Sequence, residues 1–591
     1  MLANRFLRKA CFPGILAIAL IGALIYSNTL RVPFYFDDQG SIVENRYLRI
    51  HNLTWAGLHD AATKGPGPNR VVANLSFALN YYLNGYDVAG YHVVNIAIHL
   101  VNACLVFVLC SLTLGLSRRL SGQSRGVPDA GAIFAVSLLA AMIFVAHPVQ
   151  VPAVTYIVQR MASLATLFYL AAFICYVLGR QQQVAWRRAV LWTAGLCSWL
   201  LALGSKEIAS LLPLMIGLYE WYFFRDLKIG FRWRSLVIIG LAIGALFCVA
   251  LLWLGPDPFR YIQATYIHRD FSIGQRLLTE FRVIAMYLGL IFIPLPSQFS
   301  LLHEITVSRA LFEPPATFIS LVFVLVLIGL AIGIARRQRF LSFFILWFFA
   351  HLLIESSVIG LELAYEHRLY LPGVGVSMVI AWALINLPAS PALLKTAIAT
   401  AIVTALCLLT YTRNTVWRDP IVLWSDVISK YPASFRGHVN LGNALARAGR
   451  AEDALDQYQQ ALRIDPRNAL IYLNIGVQLL DMGRCRRALT PLSVAARSAP
   501  RLFAAQLDYA AGLQCAGKPR TALVYYRKAA RLNPHAAAAE NGIGESLSSL
   551  GRPELAISHY RKALALDPTH TGARRNLSQT LARLRRARRS Q

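Results

Sequence analysis

The feature that most constrains this chain is a series of apolar runs separated by short polar loops. Runs such as 17–25, 133–146, 236–254 and 318–335 approach the roughly 20 apolar residues that an α-helix needs to cross a bilayer. Each run must be helical there, because lipid offers no hydrogen-bond partner to a free backbone group. With 56% hydrophobic and 15% charged residues, the chain is expected to be an all-α, polytopic membrane protein.

We predict about eleven spans. The first run follows Arg5, Arg8 and Lys9 but lacks a small-residue cleavage site, so it is interpreted as an uncleaved span and not as a signal peptide. Residues 283–295 are apolar but too few to span, and are predicted to be re-entrant or interfacial. The predicted spans lie near 12–30, 92–116, 131–147, 161–179, 189–204, 208–224, 235–254, 316–335, 340–361, 373–388 and 395–411.

The distribution of positive charge predicts the orientation. Four short loops on the side of the N-terminus carry three or four Lys or Arg residues each, whereas two short loops on the opposite side carry one each, Lys206 and Arg368. The positive-inside rule therefore places the N-terminus in the cytoplasm. An odd number of spans then places the C-terminal part outside, in an integral membrane protein of the inner membrane if the source is bacterial.

The C-terminal part contains a strict internal repeat. Five prolines stand 34 residues apart, which is the period of tetratricopeptide repeats (TPRs): Pro432, Pro466, Pro500, Pro534 and Pro568. Small residues recur in register because two helices of one repeat must approach closely. We predict a membrane domain over 1–412, a lead-in helix over 413–434, four repeats forming an α-solenoid over 435–570, and a basic capping helix and tail over 571–591.

The repeat domain is expected to recruit a protein. Residues 413–591 contain 28 Lys or Arg against 12 Asp or Glu, a net charge of +16, which favours anionic lipid head groups or acidic polypeptides. Nucleic acid is not expected as a partner on the outer side of a membrane. A disulfide between Cys485 and Cys515 is left open by the sequence.

The outer loops carry the candidate chemistry, because ionisable residues at a membrane surface are costly unless they serve a purpose. Asp37 and Asp38 follow the first span and suit a general base that accepts a hydroxyl proton. Four cations suit the stabilisation of a phosphate leaving group: Arg160, Lys206, His367 and Arg368. Supporting candidates are Arg70, His147, Glu207 and Glu366.

Structural roles are the alternative for the same residues. Asp37 and Asp38 could cap a turn, and Arg160 and Lys206 could be interfacial anchors. His351 and Glu355 lie four residues apart and could pair with each other within one helix.

The order of several motifs resembles the transmembrane and TPR O-mannosyltransferases and their bacterial relatives. These motifs are Phe36-Asp37-Asp38, Asn74 to Asn80, Gly90-Tyr91-His92, Ala146 to Gln150, Lys206-Glu207 and Glu366 to Pro372, followed by the repeats. The resemblance implies a GT-C-like fold, an inverting mechanism, a polyprenyl-phosphate-linked sugar donor and Asp37-Asp38 as the acidic motif. Gln150 and Val71 depart from the pattern of some relatives. No signature identifies the sugar.

Three functions are consistent with the sequence. The leading hypothesis is a glycosyltransferase that moves a sugar from a lipid-linked donor to a protein or glycan at the extracytoplasmic face. The alternatives are a non-catalytic TPR scaffold anchored in the membrane and a transporter of lipid-linked sugars. A divalent metal held by Asp37 and Asp38 is left open, since paired carboxylates can hold a cation with a phosphate.

Overall fold

Helices form the framework of this protein. The structure, a computed structural model, describes residues 2–120, 129–225, 257–267, 269–388 and 390–589 and the single positions 240, 244, 251 and 255. Within these ranges there is no β-strand, which confirms the all-α prediction. The chain divides into two units, Met1–Leu423 and Trp424–Gln591.

Among the residues that the structure describes, six helices of the first unit are long and apolar enough to cross a membrane. They are Phe12–Thr29, Val88–Arg118, Ile157–Gln181, Ala316–Ile334, Glu366–Ile385 and Ala392–Val416. A seventh candidate consists of Ala130–Ala146 and Pro148–Val154, which meet at an angle of 53°. The prediction of a polytopic membrane protein is therefore confirmed, whereas the count of about eleven spans stays a prediction.

Three other predicted spans correspond to helices that are shorter or less apolar. Ala185–Leu203 carries two arginines in its first turn, and Leu212–Phe223 has only 12 residues. Arg339–Leu352 has 14 residues and ends before the predicted position 361. The predicted span near 235–254 lies outside the described residues apart from three single positions.

The apolar segment 283–295 belongs to a longer helix, Ile273–Phe292, that starts at a capping box formed by Ser272 and Gln275. Its apolar half packs in a buried cluster with the helix Arg339–Leu352. Its first half carries charged residues and reaches the irregular loop that follows Leu352. That residues 283–295 are re-entrant or interfacial stays a prediction. The loop that this helix reaches is part of the candidate site.

Other α-helices of the first unit are short, and several of the spanning candidates have slightly different bounds as α-helices. The α-helices and their bounds are Leu2–Tyr26, Trp55–Thr63, Val71–Asn84, Val88–Leu120, Val151–Val154, Arg160–Gln181, Pro258–Ala264 and Tyr370–Ile385, and Pro420–Lys430 crosses the boundary between the units. Single turns of 3-10 helix occur at Ser27–Thr29, Arg46–Leu48, Pro148–Gln150, Ile157–Gln159, Glu207–Leu211, Pro296–Gln298 and Glu366–Leu369, and a π turn at Gln39–Val43.

The second unit contains the four predicted repeats, each a pair of helices. The pairs are Phe435–Arg447 with Ala451–Ile464, Ala469–Asp481 with Cys485–Ser498, Phe503–Cys515 with Pro519–Leu532, and Ala537–Ser549 with Pro553–Leu566, followed by Thr571–Arg589. The TPR fold is therefore confirmed. The lead-in and capping segments keep their assigned boundaries as predictions.

Glycine sets the spacing within each repeat in two ways. The turn between the helices of the first repeat contains Gly449, whose φ of 77° lies in the left-handed region that favours glycine, and the other three repeats have the same turn. Gly442 allows close packing, since a Cβ there would lie 2.5 Å from the ring of Tyr458. Gly476 meets Leu492 in the same way, so the leucine that replaces tyrosine in the second repeat fills the equivalent space.

The two cysteines of the repeat unit are paired. Cys485 and Cys515 form a disulfide with a Cα–Cα distance of 5.6 Å, joining the second repeat to the third.

Candidate functional site

The loop after the first helix has an unusual backbone. Phe36 has a φ of 39°, a conformation that is uncommon for a residue other than glycine. A turn surrounds it, in which the N–H of Asp38 donates to the carbonyl of Tyr35 at 2.6 Å. Such local strain is often found at functional sites, and here it lies directly before the two adjacent aspartates.

Asp38 is a buried residue of this turn. Its side chain is completely inaccessible to solvent. One carboxylate oxygen accepts the N–H of Tyr35 at 2.8 Å and the other accepts the N–H of Val158 at 2.7 Å. Burial raises the pKa of Asp38 to about 8, against the two N–H donors, which lower it. Asp38 therefore ties the loop to the 157–181 helix and has no oxygen directed to a substrate.

Asp37 has the opposite environment. Its side chain reaches solvent, and its N–H donates to the hydroxyl of Tyr156 at 2.7 Å. Burial is the largest influence on the Asp37 carboxyl and raises its pKa, and the charge of Glu362 acts in the same direction. A hydrogen bond from Tyr156 and the charge of Arg70 lower the pKa in part. Asp37 is thus an accessible carboxylate whose proton affinity is higher than that of a free aspartate.

A cavity of about 740 Å³ opens near this loop. Its walls come from residues 41–45, the 66–74 segment, Met161, residues 207–214, residues 261–262 and the irregular residues 353–361. Both apolar and polar side chains line it, among them Arg70 and Glu207. A cavity of this size accommodates a ligand of several hundred Å³.

Arg70 is the most accessible cation of the cavity wall. Its side chain is 33% exposed, and its guanidinium lies 3.4 Å from a carboxylate oxygen of Glu207. A second nitrogen of Arg70 lies 3.0 Å from the sulfur of Met161. Since Arg70 also lowers the pKa of Asp37, the structure brings Asp37, Arg70 and Glu207 into one electrostatic group.

Glu355 forms ion pairs with two more of the predicted residues, Lys206 and Arg368. The ammonium of Lys206 donates to Glu355 at 2.7 Å, and Nε of Arg368 lies 3.9 Å from the same oxygen. All three side chains are 3–5% exposed. The two cations therefore share one buried carboxylate, which offsets their charge in a region of low dielectric constant.

Two arginines hold the irregular loop that forms one wall of the cavity. Arg276 donates to the carbonyls of Glu355, Ser357 and Leu361 at 2.6–2.8 Å. Arg368 donates to the carbonyls of Leu363 and Glu362 at 3.0 and 2.7 Å. These bonds replace helical hydrogen bonds, which explains why the helix Arg339–Leu352 does not continue to position 361.

The other candidates of the 366–368 motif contact neighbouring loops. Glu366 is buried and accepts the N–H of Ser300 at 2.6 Å and a bond from His303 at 3.1 Å. The ring of His367 stacks on that of Tyr365, with 5.1 Å between the ring centres. It lies close enough to Lys206, Arg368 and Arg70 to interact with their charges. His367 therefore lies with the cationic group, whereas Glu366 anchors the 300–303 segment.

His147 occupies the bend between two helices and lies away from the cavity. Its Nδ1 accepts the N–H of Val149 at 3.1 Å, so Nε2 carries the proton and donates to the carbonyl of Ile291 at 2.9 Å. The side chain is 3% exposed. Both ring nitrogens are used to hold the bend, which favours a structural role over the supporting role in the site.

Arg160 is fully buried beneath the aspartate loop. Its Nε donates to Asn95 at 2.6 Å, and its terminal nitrogens donate to the carbonyls of Tyr91 and Ser76 at 3.0 and 3.2 Å. The guanidinium also lies 4.7 Å from the centre of the Phe77 ring. A phosphate could reach Arg160 only if these bonds were broken, so the geometry favours a structural role over the predicted phosphate-binding role.

The aspartate pair does not fit a shared metal ion. Both oxygens of Asp38 already accept backbone N–H groups, which leaves Asp37 as the only carboxylate of the pair with an available oxygen. Among the residues that the structure describes, no group of three or more His, Cys, Asp or Glu side chains is arranged to hold a metal.

Sequence reasoning missed Glu355, Arg276 and Glu280 as members of this region. A pair between His351 and Glu355 was one structural alternative, but His351 bonds Tyr169 at 2.8 Å and Glu355 bonds Lys206. Arg276 and Glu280 lie four residues apart and pair at 2.9 Å, almost fully buried. The sequence feature that could have identified these three residues is a charged side chain within or beside an apolar stretch, because such a charge is costly unless it is paired.

Comparisons with known proteins agree with the motifs. The family model described as TPR repeat matches residues 432–483, and the family model described as tetratricopeptide repeat matches residues 515–571. The protein O-mannosyl-transferase F38B6.6 of Caenorhabditis elegans is 26% identical over 472 residues, which cover 77% of this chain and 63% of that protein. The protein O-mannosyl-transferase TMTC4 of Homo sapiens is 30% identical over 171 residues, 27% of this chain and 22% of that protein.

These matches confirm the resemblance to the transmembrane and TPR O-mannosyltransferases. The chain spans 63% of the length of the nematode protein. Among solved structures, a crystal structure of MamA is 20% identical and covers 25% of this chain and 86% of its own, with a TM-score of 0.24.

Proposed function

We propose that this protein is an inverting membrane glycosyltransferase that moves a sugar from a polyprenyl-phosphate-linked donor to a hydroxyl group of a protein or glycan at the extracytoplasmic face. The observation that carries the proposal is the accessible carboxylate of Asp37 in one electrostatic group with Arg70, next to a cavity of about 740 Å³. The names of the relatives support the same chemistry.

Asp37 is the proposed general base. It is the accessible member of the pair, and burial raises its pKa, which makes it a better proton acceptor than a free aspartate. Asp38 is the proposed positioning residue, since its two hydrogen bonds fix the turn that presents Asp37.

Arg70 in the cavity wall and three cations outside its lining are the proposed groups that stabilise the donor phosphate. Arg70 is accessible, and its ion-pair partner Glu207 is partly exposed, so a phosphate can approach its guanidinium. Lys206, His367 and Arg368 lie deeper and contribute positive potential more than direct contacts.

In the proposed reaction, the acceptor oxygen forms a bond to the anomeric carbon while its proton passes to Asp37. The bond from that carbon to the phosphate oxygen breaks, and its electron pair leaves with the lipid phosphate. The additional negative charge then lies near Arg70. Attack opposite the leaving group inverts the anomeric centre, and no step requires a metal.

The test is a transfer assay with the full chain in lipid nanodiscs, using a panel of polyprenyl-phosphate-linked sugars and serine- or threonine-containing peptides. A peptide that gains the mass of one sugar supports the proposal. If no donor gave a product, the TPR scaffold would be favoured. If the lipid-linked sugar crossed the bilayer of vesicles with no acceptor modified, the transporter would be favoured.

The proposed orientation has its own test. A reporter fused after Gln591 is expected to be active only on the outer side, because the positive loops place the N-terminus inside. The pairing of Cys485 with Cys515 supports this orientation, since disulfides persist in oxidising compartments. Activity of the fusion in the cytoplasm would contradict the assignment of every outer loop, including the one that carries Asp37.

Arg70→Gln is expected to raise KM for the lipid donor by about tenfold, as the loss of one charge-assisted hydrogen bond to phosphate predicts, with a smaller change in kcat. Arg309→Gln removes the same charge from an exposed loop residue outside the cavity and serves as the control. Equal KM values for the two variants would show that Arg70 does not contact the donor.

A further inference from the structure

The first helices of the first three repeats form an open groove of about 360 Å³. The helices are Phe435–Arg447, Ala469–Asp481 and Phe503–Cys515. Amide and carboxylate side chains from all three line the groove, together with the exposed Arg447. They are Asn443, Asn474, Gln478, Asp481 and Asp508. This composition differs from that of the domain as a whole, in which basic residues outnumber acidic ones by more than two to one.

Two carboxylates of the groove lie close enough for their charges to interact, and neither forms an ion pair with Arg447 of the same groove among the described residues. Asp508 has neither an ion pair nor a hydrogen bond to its side chain among the described residues, and its neighbour Asp481 has none either. Burial and the charge of Asp481 together raise the pKa of Asp508 to about 6. A fourth-repeat carboxylate shows the contrast, since Glu540 pairs with His559 at 2.7 Å and Lys562 at 2.6 Å.

A buried amide points to a ligand independently of the charges. Gln478 is 7% exposed and lines the groove, yet its side chain has no hydrogen-bond partner among the residues that the structure describes. Its amide is therefore available to a ligand that enters the groove, as both a donor and an acceptor. Asn474 lies one helical turn earlier and donates to Asn443 at 3.4 Å, which leaves its carbonyl oxygen facing the same groove.

We propose that this groove binds an extended polypeptide segment that carries lysine or arginine, with the basic side chain between Asp481 and Asp508 and the peptide backbone bonded by Gln478. A cation offsets the repulsion of the two carboxylates, and an amide that both donates and accepts matches a peptide unit. The inference goes beyond the proposed transfer reaction and does not depend on it, because it is measured by binding alone.

The charge of the whole chain makes the test stringent. With a net charge of +29, non-specific attraction favours acidic peptides over basic ones. A preference for lysine must therefore come from a local acidic site, and the groove is the site that the structure provides.

The experiment is fluorescence anisotropy with the full chain in nanodiscs of neutral lipid and three labelled peptides. All have the same glycine, serine and alanine frame, and two positions are lysine, glutamate or norleucine. The lysine peptide is expected to bind at least about tenfold more tightly than the other two, as hydrogen bonds to charged groups predict. Equal or tighter binding of the glutamate peptide would overturn the inference.

Two variants locate the binding to the groove. Asp508→Asn is expected to weaken the lysine peptide about tenfold without lowering the thermal unfolding midpoint, because it removes an unpaired charge. Gln478→Leu should also weaken binding with no loss of stability. Asp456→Asn removes one exposed carboxylate on a second helix and should bind as the wild type does. If Asp508→Asn bound like the wild type, or Asp456→Asn lost as much affinity, the groove would not be the site.

Competition distinguishes a peptide from a small cation. Unlabelled lysine peptide is first used to find the concentration that displaces half of the probe. Spermidine at that same concentration is expected to leave the probe bound, because it has no carbonyl oxygen to accept from the amide of Gln478. Equal displacement by spermidine would overturn the assignment of a polypeptide ligand.

Discussion

Asp37→Asn is expected to lower sugar transfer by about a hundredfold or more, the effect typical of a lost general base. Asparagine has the same shape as aspartate and keeps the N–H bond from residue 37 to Tyr156, so the protein should still fold and insert. It cannot accept the hydroxyl proton. The measurement is kcat/KM in nanodiscs with a lipid-linked donor, and Asp60→Asn, which removes a carboxylate paired only with exposed neighbours, is the matched control.

The pH profile provides a second readout for the same residue. The pKa of Asp37 is raised above its ordinary value of 3.8, so the carboxyl is protonated and inactive at low pH. Activity is therefore expected to rise with pH through that raised pKa and then level off. The residual activity of Asp37→Asn should lack this rise. An asparagine variant with the wild-type rate and profile would remove Asp37 from the reaction.

Asp38→Asn separates the two aspartates by mechanism. The amide of asparagine can replace only one of the two carboxylate oxygens as an acceptor, and its NH₂ group would face a backbone N–H of Tyr35 or Val158. Loss of activity in this variant should therefore come with a lower thermal unfolding midpoint. In Asp37→Asn the midpoint should be unchanged.

Glu355→Gln is expected to destabilise the protein by about 3–5 kcal/mol, the cost of breaking a buried ion pair by removing one partner. The substitution leaves Lys206 and Arg368 as buried cations without their shared carboxylate. The change should appear as a large drop in the thermal unfolding midpoint in detergent. Because Arg276 and Arg368 organise the adjacent loop, donor binding should fall as well.

Two further variants test the cause of that loss. Glu207→Gln breaks the partly exposed pair with Arg70 and should cost no more than about 1 kcal/mol. Adding Lys206→Met to Glu355→Gln removes an unpaired cation and should restore part of the stability. If Glu355→Gln were as stable as Glu207→Gln, the buried pairing would not support the fold.

The sequence by itself determined the classes of structure. An apolar run long enough to span hydrocarbon has to be helical, because the backbone finds no other partner in lipid. The repeats follow equally directly, since prolines spaced by 34 residues and small residues in register describe one packing unit that stacks on its copies. Both features depend on local spacing, which a sequence displays completely.

The tertiary structure alone decided how the charged residues are used. Asp37 and Asp38 are adjacent and chemically identical, yet Val158 reaches Asp38 from 120 positions away and leaves Asp37 open. Lys206 meets Glu355 from 149 positions away, whereas His351, only four positions from Glu355, bonds Tyr169. Ion pairs and burial depend on which segments pack together in space, and in low dielectric those contacts determine whether a charged group is held within the fold or remains available to a substrate.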